Sequence, residues 1–122
     1  MSTGHYLRQR ARSFMFAFQG VAAFLRSEPH ARIHAVVTVL VIVAGWYFRI
    51  SVNQWIAVLI VTGMVWITEM LNTVIEKIMD HLSPEYHPQV KWIKDVAAGA
   101  VLVAAIVAAV TGFVIFVPML LK

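Results

Sequence analysis

Between Asp95 and Lys122 the chain carries no charged side chain, and the apolar run from Val96 to Leu121 exceeds the roughly 20 helical residues that cross a hydrocarbon core. Such a segment is predicted to span a bilayer as part of a helix over about residues 91–121. Composition agrees. Of 122 residues 61% are hydrophobic and 13% charged, whereas soluble domains carry roughly a quarter charged side chains. A second run, Ile33 to Phe48, lies between Arg32 and Arg49 with Trp46 and Tyr47 at one end, and predicts a span over about residues 30–49. A third is apolar from Trp55 to Thr68 and continues with helical periodicity through Glu69, Asn72, Glu76 and Asp80, which predicts one helix over about residues 54–80.

The segment before these spans is different in kind. Arg8, Arg10 and Arg12 precede Phe14, Phe16, Phe18, Val21, Phe24 and Leu25. A basic, aromatic and moderately apolar stretch of this sort is expected to lie in the membrane interface as an amphipathic surface helix over about residues 6–26. A cleaved signal peptide is the competing reading, and Gln19 and Gly20 interrupt the apolar core it needs. Ser27, Glu28 and Pro29 read as a helix start, and Ser83-Pro84 and Pro88 mark a loop before the last helix. The expected fold is therefore an all-α membrane protein of three transmembrane helices and one surface helix.

Basic residues set the expected orientation. Arg8, Arg10, Arg12, Arg26 and Arg32 precede the first span, only Arg49 lies between the first two, and Lys77, Lys91 and Lys94 lie between the second and third. The positive-inside rule puts the amino terminus in the cytosol and Lys122 outside. All the acidic residues, Glu28, Glu69, Glu76, Glu85, Asp80 and Asp95, then fall in the cytosolic half. The net charge of +4 follows the span ends and forms no stripe interleaved with stacking aromatics, so no nucleic-acid partner is expected. Absence of cysteine excludes thiolate catalysis and disulfide scaffolds.

Glu69, Asn72, Glu76 and Asp80 are spaced by three, four and four residues, so at about 100° per residue they share one helix face. Intramembrane carboxylates are costly and face a bundle interior or a watery cavity, which marks them as functional candidates. A packing network would need only Asn72, whereas three carboxylates on one face repel unless a cation joins them. Magnesium takes one or two carboxylates together with substrate phosphates, and Glu28 is the best second acidic residue for Glu76 or, equally, a charge favoured near a helix amino terminus. Lys94-Asp95 can place an ammonium on transferring phosphates and orient it with a carboxylate, or serve as a snorkelling interfacial pair. Glu85-Tyr86-His87 forms a polar loop able to cover a nucleotide. His30 and His34 have a zinc-compatible spacing but no third ligand, which favours an interfacial role. Neither a P-loop nor the motifs of protein kinases is present.

The stretch Glu69-Met-Leu-Asn72-Thr-Val-Ile-Glu76-Lys-Ile-Met-Asp80, with Ser83-Pro-Glu85-Tyr86-His87 and Lys94-Asp95-Val-Ala-Ala-Gly99, resembles the bacterial diacylglycerol kinase and undecaprenol kinase family. The resemblance runs from about Phe14 to the end of the third span and includes Glu28 to His34. It implies a homotrimer in the bacterial cytoplasmic membrane, with active sites shared between subunits, that phosphorylates a lipid alcohol, diacylglycerol as the first expectation and undecaprenol as the second, from ATP and Mg2+. By the same resemblance Glu69 is the general base, Glu28 and Glu76 hold metal-ATP, and Glu85, Tyr86, His87, Lys94 and Asp95 contact the nucleotide. Asn72 and Asp80 shape the site, and Gly20 and Gly99 permit close helix or lipid approach. His30 stands where many relatives carry asparagine, and Phe16 where tyrosine is associated with the nucleotide.

Two other classes compete with a lipid kinase. A small proton-coupled transporter would also use an intramembrane glutamate, although three spans are few for one and the acidic residues gather at one side. A non-enzymatic assembly subunit is the third reading, and activity surviving Glu69→Gln would favour a structural role for that residue.

Overall fold

The computed structural model describes residues 2–122, which form the helices α1 (Thr3–Ser27), α2 (Pro29–Tyr47), α3 (Val52–Leu82) and α4 (Pro88–Leu120). The last three are long and apolar enough to cross a membrane. The all-helical, three-span architecture expected from the sequence is therefore present. The chain forms two compact units, one ending at Val36 and one running Val37–Lys122.

In the first unit, Ser2 caps α1 by accepting from the His5 amide at 3.3 Å. Arg10 reaches back one turn, where its Nε donates to the Tyr6 hydroxyl at 3.0 Å and its guanidinium lies 5.0 Å from the ring centroid. Glu28 leaves helical geometry, and Pro29, which has no amide proton to lose, opens α2. Arg32 closes this elbow: its guanidinium donates to the carbonyls of Leu25 at 3.2 Å and Arg26 at 2.6 Å. Those carbonyls belong to the last turn of α1, which lacks intrahelical donors and carries negative partial charge.

In the second unit a specified turn joins α2 to α3. The Ile50 amide donates to the Gly45 carbonyl at 3.1 Å and that of Arg49 to Trp46 at 3.3 Å, with Arg49 at φ 53°. This is a Schellman closure with a left-handed residue after the helix. Ser51 and Gln54 then form a reciprocal capping box at the start of α3. Ile50, Val58 and Ile115 are buried here against Val41, Phe48, Trp55 and Phe116. A Cβ on Gly45 would lie 2.7 Å from Trp55 Cη2, so glycine is what admits the indole. Trp55 is thus half-buried inside the turn, whereas Trp46, Tyr47 and Trp92 are exposed.

α3 and α4 pack closely against each other. Their 31 and 33 residues correspond to about 46 and 50 Å of helix, well beyond a hydrocarbon core of about 30 Å. The excess length carries the polar residues. α4 starts at Pro88, three residues before its apolar run predicts, because His87 accepts from the Gln89 amide through Nδ1 at 3.1 Å and proline suits the first turn. No polar residue is buried as a whole among the described residues, and many large apolar ones are exposed, which suits lipid contact.

Candidate functional site

The periodicity of α3 places Glu69, Asn72, Glu76 and Asp80 along one helix face, the first three half-buried and Asp80 exposed. Counted from Val52, Glu69 lies about 26 Å along the axis. If Val52 marks one boundary of the hydrocarbon core, Glu69 sits just short of the other, and Asp80 lies about 16 Å further out. On that placement the stripe leads from the acyl-chain edge into the aqueous zone.

Asn72 Nδ2 donates to Glu76 Oε1 at 3.2 Å. A carboxylate can only accept, so the amide must turn its nitrogen toward Glu76. That choice leaves Asn72 Oδ1 buried without a hydrogen-bond partner, an uncommon and costly state. An oxygen lacking a donor beside a carboxylate is a fit environment for a hard cation. Among the described residues no group of three or more histidine and acidic side chains could hold a metal by protein ligands alone.

Beyond the stripe the ends of α3 and α4 and the loop between them line an open cavity of about 460 Å3. Its walls include Asp80, Glu85, Tyr86, His87, Lys94 and Asp95, all singled out in the sequence, together with Lys91 and Val90. Lys94 Nζ donates to Asp80 Oδ1 at 2.7 Å across 14 residues of chain, tying α4 to α3. Lys91 pairs with Asp95 one turn along α4. The expected partnership within Lys94-Asp95 is thus replaced by two pairs, since adjacent helical residues point apart while residues four apart share a face. Lys91 is a cavity-lining residue that sequence reasoning passed over, and its spacing to Asp95 is the signal that would have found it.

Glu69, Asn72 and Glu76 do not line this cavity but approach it along α3. Glu28, at the elbow after α1, is half-buried and belongs with Gly20 to the unit ending at Val36. A Cβ added at Gly20 or Gly99 would meet nothing within 4 Å, so neither glycine makes a close approach inside this chain.

The family described as prokaryotic diacylglycerol kinase matches residues 15–116. The undecaprenol kinase of Bacillus subtilis (strain 168) is 34% identical over 109 residues, 89% of this chain and 89% of that protein. A diacylglycerol kinase of Synechocystis sp. is 39% identical over 112 residues, 90% of this chain and 63% of that protein. The diacylglycerol kinase of Escherichia coli (strain K12) is 32% identical over 96 residues, 79% of each.

Proposed function

The chain belongs to the prokaryotic diacylglycerol kinase family and is a multi-pass membrane lipid kinase, and we propose that it transfers the γ-phosphoryl group of ATP to a lipid hydroxyl at the cytosolic face of the bacterial inner membrane. The acceptor is undecaprenol or diacylglycerol; the match along nearly the whole of an undecaprenol kinase favours the prenol. The observation that carries this reading is the continuity of the α3 stripe with the cavity at its end. In this reading the Glu69 end meets the lipid headgroup, and the cavity, lined by charged side chains, takes the soluble ligand.

In this assignment the Glu69 carboxylate accepts the proton of the lipid hydroxyl. The hydroxyl oxygen forms a bond to the γ-phosphorus, the bond from that phosphorus to the β–γ bridging oxygen breaks, and ADP leaves with the electron pair. Lys94 places its ammonium against the phosphates from the position Asp80 sets. Glu85, Tyr86 and His87 form the nucleotide-side wall with Asp95 and Lys91. Glu76 and Glu28 would hold Mg2+, with Asn72 turning the Glu76 carboxylate. When bound, Mg2+ neutralises phosphate charge as the transition state forms. Phosphoryl transfer asks the protein mainly for positioning and charge stabilisation, which this small set of residues can supply.

A homotrimer in which neighbouring chains complete the site, with close approaches at Gly20 and Gly99, accords with how little each chain buries alone. The amino terminus is assigned to the cytosol and Lys122 to the outside, following the arginine and lysine distribution. Kinase family membership leaves the proton-coupled transporter without support. The test is transfer of labelled γ-phosphate from ATP to undecaprenol and to dioleoylglycerol by purified protein. Magnesium-dependent product that Glu69→Gln and Glu76→Gln abolish supports the assignment, and product formed equally well by Glu69→Gln removes the general base from it.

A further inference from the structure

Trp66 Nε1 donates to Thr38 Oγ1 at 2.9 Å, joining α3 to α2 between residues that are both half-buried. The bond lies in the apolar stretches of two membrane-spanning helices, where water does not compete and backbone carbonyls are engaged within their own helices. An indole N–H in that setting needs a side-chain acceptor. The same two helices are also pinned at the turn, where Trp55 seats over Gly45. Trp55 and Trp66 are separated by about 16 Å of α3, so the two contacts together fix the rotation of α3 as well as its distance from α2.

Glu69 comes three residues after Trp66, about 4.5 Å along the axis and about 60° around it. A side-chain group at about 5–6 Å from a helix axis moves about 1 Å when the helix turns by about 10°. Misplacement by about 1 Å can reduce transfer about 100-fold. We infer that the Trp66–Thr38 hydrogen bond holds α3 at the rotation that presents Glu69 to the acceptor hydroxyl, making both positioning residues for the reaction. The inference rests on the assignment of Glu69 as the proton acceptor.

The experiment compares Thr38→Val, Trp66→Phe, the double variant and Thr38→Ser in purified, reconstituted protein. Two readouts are taken: kcat and KM for transfer from ATP to undecaprenol and dioleoylglycerol, and the rate at which dicyclohexylcarbodiimide labels Glu69, located by mass spectrometry. Thr38→Val and Trp66→Phe are expected to lower kcat about tenfold with KM for ATP unchanged. The double variant should lose no more than the worse single one, and Thr38→Ser should keep the parent rate. Labelling at Glu69 should change in the same variants and not in Thr38→Ser. Unchanged kcat and labelling, additive losses, or losses that follow only the amount of folded protein overturn the inference. Should Thr38→Val fail to fold, Trp66→Phe, which keeps an aromatic ring and removes the donor, decides. Altered labelling in a protein that phosphorylates neither lipid would instead keep the hold on α3 and overturn the assignment of these two acceptors.

Discussion

Lys94 on α4 donates to Asp80 on α3 at 2.7 Å, and this pair sets the span of the cavity in which a nucleotide is proposed to bind. Both residues keep solvent contact, Asp80 more than Lys94, so the pair orients an ammonium and adds little to stability. Asp80→Asn is expected to leave thermal unfolding unchanged while raising KM for ATP about threefold, because the charge-assisted bond is weakened and the ammonium is less well held. Lys94→Met, which removes the ammonium itself, should lower kcat/KM about 100-fold or more. Steady-state kinetics beside a melting curve separates the two effects.

Glu69 stands at the lipid end of the stripe and Glu76 about two turns closer to the cavity. Glu69→Gln should reduce kcat by about 100-fold or more with nucleotide binding retained. Glu76→Gln should shift the magnesium dependence to higher concentration, because a carboxylate ligand is lost. A Glu76→Gln protein with the parent magnesium requirement would take this residue out of the metal site.

Asn72 leaves one amide oxygen buried without a partner in order to give its nitrogen to Glu76. Asn72→Leu removes both the orphaned oxygen and the bond to Glu76. Its effect on unfolding should therefore be small, since a buried group with an unmet bond is itself destabilising. Activity should fall at subsaturating magnesium and recover partly as magnesium is raised. Loss of folding without that recovery would make Asn72 a packing residue.

Arg32 caps the last carbonyls of α1 and so fixes the elbow that carries Glu28. Arg32→Gln is expected to increase the rate of tryptic cleavage after Arg26, because two carbonyls lose their charged donor and the last turn frays. Transfer should weaken through KM for magnesium-ATP if Glu28 acts as assigned.

Gly45 admits Trp55 into the α2–α3 turn. Gly45→Ala should destabilise the protein by about 1–3 kcal/mol, the usual cost of overpacking. Trp55→Phe removes the outer ring atoms that would clash and should recover much of the loss in the double variant. Thermal unfolding of the singles and the double reads this directly.

Most of the fold was legible in the chain because a bilayer admits few solutions. Long apolar runs, proline at helix starts and the distribution of arginine imply three spans and a basic surface helix without reference to tertiary contacts. The α3 stripe was equally legible, since spacings of three and four align side chains on any helix. What the sequence could not disclose is which residues meet across helices. Pairing of Lys94 with Asp80, of Trp66 with Thr38 and of Trp55 with Gly45 depends on the rotation and offset of separate helices. Helical periodicity specifies direction around one axis and carries nothing about a neighbour's axis. Those relations arise only when α2, α3 and α4 pack, because interhelical distance, turn closure and the size of each contacting side chain set them together.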